Sequence, residues 1–178
     1  YLANNIGSSV SSSKISDYLN SNKIVEKSNH QTVDNYLNML EKSFIMYKAD
    51  RTDIKSKSLL KTLGKYYIAD SGIRNIILGF RNIDEGHLLE NIVYLELRRR
   101  GYEVFIGKNQ TQEIDFIAQR QDEKIYIQVC VNLPKDSTRE TDNLLAIKDN
   151  YPKYVITLDK LSTGNINGIQ VVHLSDFL

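Results

Sequence analysis

Apolar residues recur at helical spacing in three stretches of the chain and alternate with polar ones in several others. Ile15, Tyr18 and Leu19 stand at i, i+3 and i+4 behind Ser11-Ser12-Ser13, whose hydroxyls suit an N-cap. Asn20-Ser21-Asn22 breaks that pattern. Val33, Tyr36, Leu37 and Leu40 then form a second stripe at i, i+3, i+4 and i+7. Ser28-Asn29-His30-Gln31 precedes it and reads as a capping box, with the Ser28 hydroxyl and the Gln31 amide satisfying orphan backbone donors reciprocally. Past Ser43 the period shortens, and Phe44–Lys48 and Lys65–Ile68 read as strands.

The third helical stretch, Gly86–Leu97, is apolar nearly all round, which predicts burial, and Arg98-Arg99-Arg100-Gly101 ends it with Gly101 as C-cap. Short alternating runs follow: Glu103–Ile106, Glu113–Ala118 and Lys124–Val131, with Gln119–Glu123 as a polar turn that predicts an antiparallel hairpin. After Pro134, Ser137-Thr138-Arg139-Glu140 opens a helix with Leu144, Leu145 and Ile147 on its apolar face, ended by Asn150-Tyr151-Pro152. Tyr154–Leu158 and Ile169–His173 are further strands. A helix, three strands, a helix and two strands describe an α/β (α+β) domain, a mixed sheet with helices against it.

Composition narrows the picture little. Hydrophobic residues make up 41% and charged residues 25%, ordinary values for a globular chain. The 23 basic and 22 acidic residues nearly cancel, so any attraction for nucleic acid has to be local. A single cysteine, Cys130, excludes an internal disulfide framework and fits a reducing compartment such as the cytoplasm. No apolar run approaches the roughly 18 residues of a membrane span, and no Gly-rich phosphate loop with its lysine occurs, so no ATP site is expected in these 178 residues. Asn109-Gln110-Thr111 matches a glycosylation acceptor, read as chance without a secretory signal. The chain opens at Tyr1, and Tyr1–Ile6 reads as the tail of a helix that starts elsewhere, so a longer parent protein is expected.

A short helix, a capped helix and a hairpin rich in Arg51, Lys55, Lys57 and Lys61 follow the order of a winged helix-turn-helix, placed over residues 1–68. In DNA-binding examples the capped helix enters the major groove, which makes His30, Gln31 and Lys42 candidate contacts, while Arg51, Lys55 and Lys57 could neutralise phosphates. The same architecture also serves as a protein-docking module. The capped helix is Asn-rich and has no arginine, the commonest base-reading side chain.

Residues 69–178 carry the candidate chemistry. Glu90 sits inside an apolar helical pattern, where an ionised carboxylate needs a partner or a metal; a half-exposed glutamate at the first turn of a helix fits the pattern equally. Glu113 and Asp115 share one face of their strand, with Ile114 and Phe116 on the other, and Tyr126, Gln128 and Cys130 share one face of the next. Two acids at i, i+2 either gather oxygen ligands for a hard cation or mark a strand with one wet face.

That order, with Glu90 on the helix, Glu113-Ile114-Asp115-Phe116 on one strand and Tyr126-Ile127-Gln128-Val129-Cys130 on the next, resembles the PD-(D/E)XK nuclease-like superfamily. More closely, the chain resembles the C-terminal region of bacterial and archaeal AAA+-type ATPases that end in such a domain of unknown function. Asn5-Ile6-Gly7, Thr32-Val33-x-x-Tyr36-Leu37, Lys65–Asn75 and, most specifically, Leu89–Leu97 carry that likeness. The resemblance implies an ATPase module before Tyr1, Mg²⁺ at Glu90 and Asp115, a weaker ligand or catalytic role for Gln128, and a lysine at position 130 to activate water. Cys130 stands in that place, and a thiol supplies no fixed positive charge; only a lysine from a neighbouring strand, such as Lys108 or Lys124, could replace it. Three functions follow: a nucleic-acid-binding or regulatory module with weakened catalysis, an active Mg²⁺-dependent nuclease with an atypical site, or a protein-interaction domain without nucleic acid.

Overall fold

The computed structural model describes residues 1–80, 85–109, 112–133 and 138–178. The Lys61 side chain, Pro134, Ser137 and the Gln110-Thr111 part of the acceptor triplet lie outside the described residues. Tyr1–Ile6, expected as a helix tail, holds only a 3-10 turn at Leu2–Asn4. Helix α1, Ser12–Ser21, starts at Ser11, whose hydroxyl accepts from the Lys14 N–H at 3.2 Å. Helix α2, His30–Lys42, is capped one residue later than expected: the Asn29 side chain, not Ser28, accepts from the Thr32 N–H at 2.9 Å. Ser28 is instead clasped by Asn20, which bonds both its N–H and its carbonyl at 2.7 and 2.9 Å and so ties the end of α1 to the start of α2.

Strands β1 (Met46–Asp53) and β2 (Leu59–Ile68) form the expected antiparallel hairpin. It is not a free-standing wing. Residues Arg51–Asp53 of β1 pair in parallel with Ile106–Lys108 of β3 (Glu103–Asn109), which makes the hairpin one end of a single sheet. The division expected after Ile68 therefore does not separate two sheets. Strands β4 (Gln112–Arg120), β5 (Glu123–Cys130), β6 (Lys153–Thr157), β7 (Gly164–Ile166) and β8 (Ile169–His173) complete it in the order β2-β1-β3-β4-β5-β6-β8-β7. The β3-β4-β5 meander is antiparallel, and β5-β6 and β6-β8 are parallel.

Helices cover both faces of this mixed sheet, the α/β architecture expected. Helix α4, Glu85–Arg99, buries Val93, Tyr94 and Leu97 against Tyr67, Phe116 and Ile127. Gly101, at φ 82°, ends it as expected, with the Tyr102 N–H returning to the Leu97 carbonyl at 3.0 Å. Helix α5, Arg139–Leu145, closes the opposite face over Ile114, Ile117, Tyr126 and Val155. Helices α1 and α2 pack Ile15, Val33 and Leu37 on Met46, Tyr66 and Ile68 of the hairpin. A helix not foreseen, α3 at Ser71–Leu78, follows β2 and is capped by Asp70, which accepts from the Gly72 N–H at 2.6 Å; a short α6, Leu174–Phe177, ends the chain. No described helix is long and apolar enough to cross a membrane.

One departure from strict alternation shapes the site. Phe105 pairs with Ile117 but Gly107 pairs with Ile114, so β4 carries one extra residue between them. This bulge puts Phe116 in the core under α4, on the same side as Asp115 rather than opposite it, and Ile117 beside Ile114 under α5. Gly107 permits it, since a Cβ there would fall 2.9 Å from the Ile114 Cβ.

Candidate functional site

The carboxylates singled out in the sequence meet a lysine that the sequence reading had passed over. In β2, Lys65 and Tyr67 point toward α4, while Tyr66 and Ile68 face α1 and α2. The Lys65 ammonium lies 3.0 Å from Glu90 Oε1 and 2.9 Å from Glu113 Oε1. The Tyr67 hydroxyl donates to the same Glu90 oxygen at 2.6 Å, and its ring stacks on Tyr94 with centroids 4.2 Å apart. Glu113 also receives Arg51 at 3.2 Å. The Lys65 side chain is 7% exposed and that of Glu113 is 35%, so the cluster opens to solvent at its Glu113 end. Gly7, at φ 69°, lies over the other end: a Cβ there would come within 3.3 Å of Glu90 Oε2 and 3.2 Å of His87 Nδ1.

Asp115 is the sixth member. The bulge directs its Oδ2 to the Val129 N–H at 2.8 Å, and its own N–H donates to the Gln128 side-chain oxygen at 3.4 Å. Burial raises its pKa, and the Glu90 charge raises it further; Lys65 and the Val129 N–H act against both. Burial alone would lower the Lys65 pKa, but Glu90, Asp115 and Glu113 outweigh it and hold the ammonium above its ordinary value. The Tyr67 hydroxyl is pushed well above its ordinary value by burial and by Glu90. The cluster thus sets two cations, Lys65 and Arg51, among three acids, Glu90, Glu113 and Asp115.

The other expected site residues fall as follows. Gln128 touches Asp115 only through backbone and does not join Glu90 in a common ligand set. Cys130 packs at the edge of the α5-side core, and burial pushes its thiol up to about 11. Neither proposed substitute lysine is among the ion-pair partners of the carboxylates: Lys124 lies over the rings of Tyr126 and Tyr151 at 4.8 and 5.3 Å, and Lys108 lies near Asp53. His30, Gln31, Lys42, Lys55 and Lys57 are exposed, whereas Arg51 is turned inward onto Glu113. Among the described residues no group of three or more His, Cys, Asp or Glu side chains is disposed to hold a metal ion. The Mg²⁺ implied by the resemblance does not fit this donor set, because an ammonium already stands between Glu90 and Glu113. Cavities of about 500, 280 and 310 Å³ lie elsewhere, and no residue of the cluster lines them.

No solved structure matches the chain. It is similar to an uncharacterized protein of Haemophilus influenzae, 47% identical over all 178 residues and 44% of that relative. It is also similar to an uncharacterized protein of Methanocaldococcus jannaschii, 29% identical over 98% of this chain and 39% of the relative. The chain thus spans less than half the length of these relatives. A family model described as a domain of unknown function, DUF8612, matches residues 1–84. A second covers residues 85–177, from the first residue of α4 through the carboxylate strands to α6, and by that match the chain belongs to DUF4143, a family of domains of unknown function.

Proposed function

We propose that this chain is the C-terminal regulatory module of a longer cytoplasmic ATPase of the AAA+ type, built on a nuclease-like fold whose site no longer hydrolyses phosphodiesters. The observation that carries the reading is the Lys65 ammonium seated between Glu90 and Glu113. A hydrolytic site of this kind needs a divalent cation to polarise the phosphate and lower the pKa of a bound water. Here the protein supplies its own monovalent cation, buried and held by Coulombic attraction above its ordinary pKa, and such a cation has no open coordination position for water. The span of the relatives, more than twice this chain, supports a parent protein with further domains.

Contact with DNA, on this reading, is confined to phosphate. Lys42, Lys55 and Lys57 are exposed and can neutralise a backbone, but the outer face of α2 presents Tyr36 and Met39 in place of base-reading arginine. One observation favours the active-nuclease reading: Lys65 beside Glu90, Glu113 and Asp115 is also the residue complement of a nuclease site, with the lysine coming from β2. The two readings separate by titrating Mg²⁺ and Mn²⁺ into the protein in a calorimeter and incubating it with linear and supercoiled DNA. We expect no saturable metal binding and no cutting. Mg²⁺-dependent cleavage that Asp115→Ala abolishes would establish the nuclease and end the regulatory reading.

A further inference from the structure

We infer that the apolar face formed by α2 and α3 beside Tyr1–Ala3 is the seat of the polypeptide that precedes Tyr1 in the longer protein, so that the preceding module is clamped to this region and not hung on a free linker. This rests on the reading that such a module exists. The face begins with α3. Arg74, buried on its inner side, donates from Nε to the Ala3 carbonyl at 2.8 Å and pins the N-terminal turn to the helix. The outer side is isoleucine: Ile73 and Ile77 are exposed, and Ile76 is 86% exposed, with Phe80 just beyond the helix at 90%.

A lone exposed apolar residue needs no explanation, but these are not alone. Tyr36 and Met39 on α2 and Phe44 and Ile45 after it are exposed as well. Tyr36, Ile45 and Ile77 line one cavity of about 310 Å³, whose further wall is Tyr1, Leu2 and Ala3. No charged side chain lines that cavity, so phosphate or an acidic segment has nothing to pair with there. A contiguous apolar patch of this kind marks an interaction surface.

Its position identifies the occupant. Any chain preceding Tyr1 starts beside the cavity, because Tyr1 lines it, Arg74 fixes Ala3 and the Tyr1 ring packs on Tyr18 at 5.1 Å. The Haemophilus relative aligns with all 178 residues here and holds more than half its length outside them. A module joined at Tyr1 sits at high effective concentration over the patch and needs little intrinsic affinity to cover it.

The test places a thiol on the face of the full-length chain as encoded. Ile76→Cys is the reporter, Leu161→Cys, at a site 98% exposed on a distant turn, is the control, and the labelling of native Cys130 is measured in the unsubstituted chain and subtracted. Docking predicts that a maleimide labels position 76 at least about tenfold more slowly than position 161, as a covered population of about nine-tenths gives. Equal rates overturn the proposal, as does a full-length chain with no polypeptide before Tyr1. Protection that disappears on dilution overturns it too, since a second copy is then the occupant. ATP binding by the same full-length protein tests the parent reading separately: protection without ATP binding keeps the clamp and removes the ATPase, and ATP binding without protection does the reverse.

Discussion

Strands β5 and β2 make an instructive pair, because one lies where a nuclease-like sequence pattern expects a lysine and the other carries the lysine that pairs with the carboxylates. In β5, Gln128 bonds the backbone of Asp115 and Cys130 packs at the edge of the α5-side core. In β2, four positions away in the sheet order, Lys65 and Tyr67 both reach Glu90, and Lys65 reaches Glu113 as well. A cation beside a carboxylate pair is defined by where its head group ends, not by which strand carries its stem. A strand far away in sequence supplies it as well as the next one, once the sheet and its helix bring it over the same helical glutamate.

The largest effect is expected from removing the ammonium of β2. Lys65→Met keeps the stem and leaves Glu90 buried without its counter-charge, and breaking a buried pair by removing one partner costs about 3–5 kcal/mol. Urea denaturation at neutral pH should show a loss of that order, whereas Cys130→Ser should move the midpoint far less. Mn²⁺ or Mg²⁺ should then restore part of the lost stability in proportion to its concentration, because a ligand that binds only the folded state stabilises by mass action. A Lys65→Met protein as stable as the parent would show that the cluster is no structural substitute for a metal.

A smaller substitution sharpens the same contrast. Tyr67→Phe removes the 2.6 Å bond to Glu90 and keeps the ring that stacks on Tyr94. A hydrogen bond to a charged group contributes about 1.5–3 kcal/mol, so thermal or urea unfolding should record a loss in that range. A loss below about 0.5 kcal/mol would place Glu90 in contact with water instead of Tyr67.

Much of this was legible from the residues alone, and the gaps have physical causes. The helix carrying Glu90, its end at Gly101 and the strands bearing Glu113, Asp115 and Gln128 follow from periodicity and turn chemistry. The face of Phe116 was not legible, because a bulge breaks the two-residue period that the reading relies on. Lys65 stood in a strand recognised as such, and alternation already paired it with Tyr67; what one sequence lacks is the information that this face lies against Glu90. The hairpin looked like a wing because a strand pattern does not reveal that β1 also pairs with β3, a contact between residues more than fifty positions apart. Helix α3 was missed although Asp70-Ser71-Gly72 offers a cap, since its outward isoleucines spoil the stripe expected of a surface helix.

The most pH-specific effect belongs to the carboxylate that joins the two regions. Asp115 touches β5 through the Val129 N–H and feels the charge of Lys65. Asp115→Asn retains an oxygen for the Val129 N–H and removes the titration. The folded pKa of Asp115 is raised, by burial first and by Glu90 second. As pH climbs from the ordinary value of 3.8, the folded protein therefore keeps a proton that the unfolded chain has already released. Stability falls wherever the folded state binds the extra proton, so the contribution of Asp115 is full below its unfolded pKa and is lost as pH rises through the folded one. Lys65 does not share that window, because its folded pKa lies above 10.5 and its contribution is lost only in strong alkali. Urea midpoints measured at steps across the acidic-to-mildly-alkaline range should accordingly show the Asn variant gaining on the parent as pH rises, by about 1.4 kcal/mol for each pH unit by which the folded pKa exceeds the unfolded one. Parallel pH profiles for the two proteins would mean that Asp115 titrates as an ordinary aspartate, and that Lys65 and the Val129 N–H together outweigh its burial.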